Sequence, residues 1–129
     1  MSAIAITTAA LVAAPSVSAL VGDRIDPVSP AQGSELPSLV VTLARESDGY
    51  TLEGRDEFPE ASIIVDARAA TYADADALVE TVISALGDLR NAALAGRTAT
   101  FFRNDLAVSD RGEAGDIFRR RVGFVVRWR

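Results

Sequence analysis

The sequence predicts an α+β domain, an antiparallel four-stranded sheet with helices packed on one face. Three observations predict it. The apolar period changes along the chain so that the elements run helix, strand, strand, helix, strand, strand. The last two strands flank a turn-rich stretch of the kind that joins a hairpin. The final strand carries an aromatic face suited to lie beneath helices and an opposite face of arginines, as in a sheet roofed on one side only.

Residues Ala3 to Ala14 are strong helix formers. Pro15 stands where a second short helix can begin, and Gly22 where a left-handed cap can end it, with Leu11, Val17, Leu20 and Val21 facing inward. Asp26 to Pro37 holds Pro27, Pro30, Gly33 and Pro37, a composition that reads as an extended loop. Leu39, Val41 and Leu43 alternate with Val40, Thr42 and Ala44 as a first strand. A polar stretch from Arg45 to Glu60 follows, with a turn at Ser47-Asp48-Gly49 and a short strand at Tyr50 to Glu53.

Ala61 to Ala70 is a second long strand, with Ile63, Val65, Ala67 and Ala69 on one face. Between Ala73 and Leu86 the residues Ala75, Leu78, Val79, Val82, Ile83 and Leu86 form one apolar stripe at helical spacing, with Thr71 or Asp74 as N-cap. Gly87 interrupts it, and Asp88 to Ala95 reads as a short helix carrying Leu89 and Leu94 inward, ended by Gly96. Arg97 to Val108 is the third strand, and Ser109-Asp110-Arg111-Gly112 marks its turn. In the last strand Phe118, Val122, Phe124, Val126 and Trp128 share a face with Arg120, while Arg119, Arg121, Val125, Arg127 and Arg129 take the other.

The length of 129 residues suits one domain, spanning 1–129, large enough for a core without staples. With no Cys and no His, disulfides and zinc sites built on thiolate or imidazole are excluded, leaving carboxylates for hard cations alone. The usual nucleophile and base partners are missing too, because the chain has no Cys, His or Lys, so an enzyme is not expected. No cofactor is expected either. All 13 basic residues are Arg, a bias that a GC-rich genome explains as readily as a need for guanidinium forks. The longest apolar stretch, near Ile4 to Ala14, is far short of a membrane span of about 20 residues, and no membrane partner is expected. It resembles a signal peptide in part, but no basic residue precedes Arg24, and a helix of the cytoplasmic chain is the expectation.

Charge is polarised. The formal net charge is -5, yet Glu46 to Glu60 holds six acids and one Arg, while Ile117 to Arg129 holds five Arg and no acid. These stretches either face each other within one subunit or join neighbours head to tail. The residues expected at an interface with another subunit or another protein are Glu53, Asp56, Glu57, Glu60, Arg119, Arg121, Arg127 and Arg129. Arg119-Arg120-Arg121 is a weak nucleic-acid patch, since the middle residue of a strand points away from its neighbours. Asp74 with Asp76 suits a helix N-terminus, and Asp105, Asp110, Glu113 and Asp116 flank a turn, so neither group is taken for a metal site. Trp128 reads as core or subunit interface.

Three segments carry a family resemblance. The apolar opening leads into Leu20-Val21-Gly22-Asp23-Arg24-Ile25, a Pro-rich crossing leads to Leu36-Pro37-Ser38-Leu39-Val40-Val41, and the strand Ile63-Ile64-Val65-Asp66-Ala67-Arg68-Ala69 precedes an Ala-rich helix. Together they resemble the tail completion, or tail terminator, family of long-tailed bacteriophages and gene transfer agents, from Leu11 to Arg129; the position after Pro37, often aromatic in that family, is Ser38 here. The resemblance implies a structural virion protein that caps the finished tail tube as a homohexameric ring and joins it to the head-tail connector, or stopper. It implies DNA only in passage through the central channel, assembly in the bacterial host cytoplasm, and a final place in the virion tail at the head-tail interface. The alternative is a small ferredoxin-like ligand-binding or regulatory domain without catalytic activity, which has the same element pattern.

Overall fold

A computed structural model describes residues 3–22, 24–27, 36–47, 50–51, 54–55, 60–87, 89–90, 92–94, 96–111 and 117–128. Helix α1 (Ala3–Ala13) has no charged residue and buries Ala3, Ile6, Thr7, Ala10 and Leu11, the i, i+3, i+4, i+7, i+8 face of a helix. Pro15 is the first residue of α2 (Pro15–Val21), where its missing N–H costs nothing. Gly22 ends α2 with its N–H donated to the Ser18 carbonyl at 2.8 Å. Its φ of 60° and ψ of -121° lie outside the expected left-handed helical cap, in a region that only glycine occupies cheaply. Val17 and Val21 are buried as expected, whereas Leu20 is 40% exposed, a correction to its inward placement. The two helices meet at 90°, and α2 buries the Val17 and Val21 face, leaving Leu20 beside it exposed. The described residues contain no single helix long and apolar enough to cross a membrane, although the bent α1–α2 pair passes that test on length and composition.

The main sheet has six strands rather than four and is mixed rather than wholly antiparallel. Its order is β1-β2-β5-β8-β7-β6, with β1 (Ile25–Pro27), β2 (Ser38–Ser47), β5 (Glu60–Ala69), β6 (Ala92–Leu94), β7 (Arg97–Arg111) and β8 (Phe118–Trp128). The central four are the expected antiparallel strands. β1 adds a parallel edge, Ile25 opposite Leu39, inside the segment expected to be loop. Pro27 is tolerated because it ends an edge strand, where its missing donor leaves no ladder bond unmade. A separate pair, β3 (Tyr50–Thr51) with β4 (Gly54–Arg55), replaces the single strand expected from Tyr50 to Glu53. The strand β7 runs three residues past Val108, so its turn begins later than the Ser109 to Gly112 cluster suggests.

Helix α3 (Tyr72–Gly87) buries Ala75, Leu78, Val79, Val82 and Leu86, and Thr71 Oγ1 accepts the Asp74 N–H at 3.2 Å as its N-cap. The short helix expected from Asp88 to Ala95 does not form; β6 stands there instead, Leu94 opposite Arg97. Gly96, with φ 76°, turns that hairpin. The sheet outcompetes local propensity because this stretch lies along the β7 edge. The Phe101 N–H donates to the Leu89 carbonyl at 3.2 Å, and Arg90 reaches past the end of α3 to give a guanidinium N–H to the Phe101 carbonyl at 2.7 Å. Leu89 and Leu94 still pack against the core, so the expected inward faces survive the change of element.

One core lies between all three helices and one sheet face. Leu39 and Val41 of β2, Ile63, Val65 and Ala67 of β5, Val122, Phe124 and Val126 of β8 and Phe101 of β7 are each fully buried there. Phe101 and Phe124 meet edge to face, with centroids 6.4 Å apart, and each such buried ring or branched side chain contributes about 2 kcal/mol of transfer free energy. Trp128, 4% exposed, belongs to this core rather than to an outer surface.

Candidate assembly surface

The face of the sheet turned away from the helices carries the predicted arginines. Alternation on β5 puts Glu60, Ser62, Ile64, Asp66 and Arg68 there, and register with β8 adds Arg127, Val125, Gly123, Arg121 and Arg119 opposite them in that order. This face is only partly wet, since Val40, Asp66 and Gly123 are buried within it.

Three of the predicted arginines, Arg119, Arg121 and Arg127, are engaged inside the chain. Arg121 Nε donates to Asp66 Oδ1 at 2.6 Å, a charge-assisted bond whose carboxylate side is 8% exposed and whose guanidinium side is 39% exposed. Arg127 Nε lies 3.6 Å from Glu60 Oε2, with both side chains about half exposed, an ion pair worth at most about 1 kcal/mol. So one end of the sheet satisfies the within-subunit arrangement, with Glu60 and Arg127 brought together as a cross-strand pair. Arg119 is elsewhere. It stands eight residues further along, opposite Arg68 on β5 and Asp110 on β7, roughly 26 Å from the Glu60 row at the usual strand rise.

Arg120 points the other way, as the alternation requires. Its Nε is 3.6 Å from Asp76 Oδ1, and a guanidinium N–H donates to the Tyr72 hydroxyl at 3.4 Å, so it sits under the first turns of α3. The arginine triplet therefore splits between two faces. Asp76 is committed to that contact, and no three carboxylates gather into a metal-binding group among the described residues. Glu53, Asp56, Glu57 and Arg129 lie outside the described residues, as do Glu113 and Asp116.

Sequence reasoning did not single out Asp66, Arg68 or Ser38 as site residues. The alternation of β5 already assigned Asp66 and Arg68 to it, but which arginine each would meet depends on strand register, which alternation does not fix. At the far end a shallow polar depression of about 80 Å³ is lined by Arg45, Glu60, Ala61 and Ser62, well below the roughly 300 Å³ at which small-molecule pockets begin. Its chemistry is that of a contact surface with both signs of charge.

No family model matches the sequence, and no curated protein matches it. Among solved structures the chain is similar to one described as "Virion of native gene transfer agent (GTA) particle", at a TM-score of 0.68 and 25% identity, covering 98% of this chain and 93% of that one. The likeness thus takes in both helices of the N-terminal pair, the whole mixed sheet and α3, and along nearly its full length the chain is similar to a protein of a gene transfer agent virion.

Proposed function

We propose that this chain is a structural protein of a phage or gene transfer agent virion, and that within the particle it is the tail terminator: a homohexameric ring that closes the tail tube and joins it to the head connector. The observation that carries the reading is the likeness over 98% of the chain to a component of a gene transfer agent virion. Two physical features support it. The sheet face turned from the helices is buried at Ser38, Val40, Asp66 and Gly123, and its exposed end presents Glu60 and Arg127, both signs of charge suited to protein contacts. The net charge of -5 suits a channel through which DNA must slide, because few basic contacts means little phosphate binding to break.

The test is co-sedimentation of the purified chain with isolated tail tubes, paired with electron microscopy of particles from a producing strain lacking its gene. The expected result is binding at tube ends, and tails that fail to join heads without the gene. A chain that neither binds tubes nor is found in purified particles overturns the reading.

A further inference from the structure

At the exposed end of the face turned from the helices, strand register lays out complementary residues on either side of the line between β5 and β8. Glu60 of β5 lies opposite Arg127 of β8. The next row on this face runs Arg45, Ser62, Val125, Phe102 across β2, β5, β8 and β7. The row after it sets Ile64 of β5 against Gly123 of β8. Across the line an acid therefore answers a base, a cation answers an aromatic ring, and a branched side chain answers a residue with none. Glu60 and Arg127 are about half exposed, Phe102 is 43% exposed, Arg45 is exposed, and Ser62, Ile64 and Val125 are partly so. An exposed aromatic beside partly buried apolar residues, inside a charged rim, has the anatomy of a protein contact. Arg90 covers one side of the Phe102 ring, its guanidinium 5.3 Å from the centroid. On the β2 side of the line, in the place that answers Phe102, lies the depression of about 80 Å³ lined by Arg45, Glu60, Ala61 and Ser62.

We infer that this end of the face packs on the same face of a second copy of the chain, about a twofold axis lying along the strands between β5 and β8. Turning one copy over onto another about that axis sets β5 of each over β8 of the other and β2 of each over β7, row on row. Glu60 of each copy then meets Arg127 of the other, and Ile64 comes down where Gly123 leaves room. Phe102 reaches the depression beside Arg45 of the second copy, whose guanidinium meets the ring as a cation–π partner. Each pairing is made twice, as an isologous contact requires. Complementarity between the two halves of one face is what points to a second copy, since an unlike partner does not need it. The far end of the face stays out of the contact. There Arg68 and Arg119 would meet like against like, and the roughly 30° angle at which aligned sheets pack carries those rows apart. The patch is about 15 Å on a side at the usual strand spacing and rise, the size of a weak contact, so pairing depends on concentration. A contact that closes at two copies does not by itself build a six-membered ring, so the inference goes beyond the ring reading and does not rest on it.

The experiment is sedimentation velocity on the full chain, over a concentration series up to about 1 mM so that a weak dimer is populated. The samples are wild type, Phe102→Ala, Glu60→Arg, Arg127→Glu, and the last two mixed in equal amounts. Wild type is expected to form dimers and nothing larger. Phe102→Ala should weaken the dimer about tenfold or more by removing the aromatic anchor. Glu60→Arg sets arginine against arginine across the axis and Arg127→Glu sets acid against acid, so each alone should weaken the dimer about tenfold. Their mixture restores both opposite-charge meetings between unlike chains, and a one-to-one dimer should return. That recovery is a readout which loss of the Glu60–Arg127 pair within each chain does not produce. Thermal melts followed by circular dichroism check that the variants are folded; if Phe102→Ala is not, the charge mixture decides. Wild type that stays monomeric, variants that associate as wild type does, a mixture that fails to recover, or growth past two copies each overturns the inference. So does a monomeric wild type that co-sediments with tail tubes through Phe102, which gives this face to the tube.

Discussion

Truncating Arg121 is expected to destabilise the chain more than truncating its partner Asp66, although both changes delete the same bond. The asymmetry follows from where each group is left. In Arg121→Ala the Asp66 carboxylate, 8% exposed, loses a 2.6 Å charge-assisted hydrogen bond and keeps its charge where little water can replace it. Orphaning a fully buried ion costs about 3–5 kcal/mol; with the pair opening to solvent on the arginine side, about 2–4 kcal/mol is the expected loss. In Asp66→Ala the guanidinium, 39% exposed, turns to water, and the expected loss is about 1 kcal/mol. The double mutant should resemble Asp66→Ala alone, giving a coupling energy of about 2–4 kcal/mol. Urea unfolding of the four proteins at low concentration, analysed with a shared slope, measures all of these. If Arg121→Ala costs no more than Asp66→Ala, burial of the Asp66 carboxylate does not set the cost of losing its partner.

Three further outcomes are expected. Phe124→Ala removes a fully buried ring that packs edge to face on Phe101, and should cost about 3–5 kcal/mol in the same unfolding assay. Gly22→Ala should cost about 1–3 kcal/mol through backbone strain alone, because φ is 60° and an added Cβ would meet nothing nearer than Arg24 at 3.9 Å; a neutral change would show that the α2 end relaxes freely. Arg120→Met should be nearly neutral or slightly stabilising in thermal melts, since Arg120 Nε is buried without a hydrogen bond and its ion pair to Asp76 is long; a loss above about 2 kcal/mol would mean that the contact is worth more than its geometry indicates.

The elements legible in the sequence are those whose apolar period is long and consistent. Helix α3 announces itself in six residues of one stripe, and β5 and β8 in alternation broken on the β8 core face by Arg120, because each buries a face against the same core. The missed elements are short and held by backbone pairing. Ile25–Pro27 offers three residues and a proline, and only the neighbouring β2 makes it a strand. Asp88 to Ala95 has local preferences that point to helix, and the edge of β7 overrides them through the Phe101 amide and carbonyl. On the candidate surface, composition revealed which charges exist and alternation revealed their face. It did not reveal that Asp66 meets Arg121 or that Arg68 meets Arg119, since one residue of register slip exchanges every partner. The two poles of charge were visible as runs of sequence, but only the antiparallel pairing of β5 with β8 sets Glu60 beside Arg127 and Arg119 far from both.

Arg90 bears on what the edge of the sheet can pair with. Its guanidinium occupies the Phe101 carbonyl and lies over the Phe102 ring at 5.3 Å, so that where β6 stops a side chain takes the place of the next strand. An open edge at that point would offer a template to any identical molecule, and molecules made in quantity inside one cell would zip into filaments with no natural end. At that point of the rim, recognition by a further strand is blocked by a side chain, and the block is built from the chain's own hydrogen bonds.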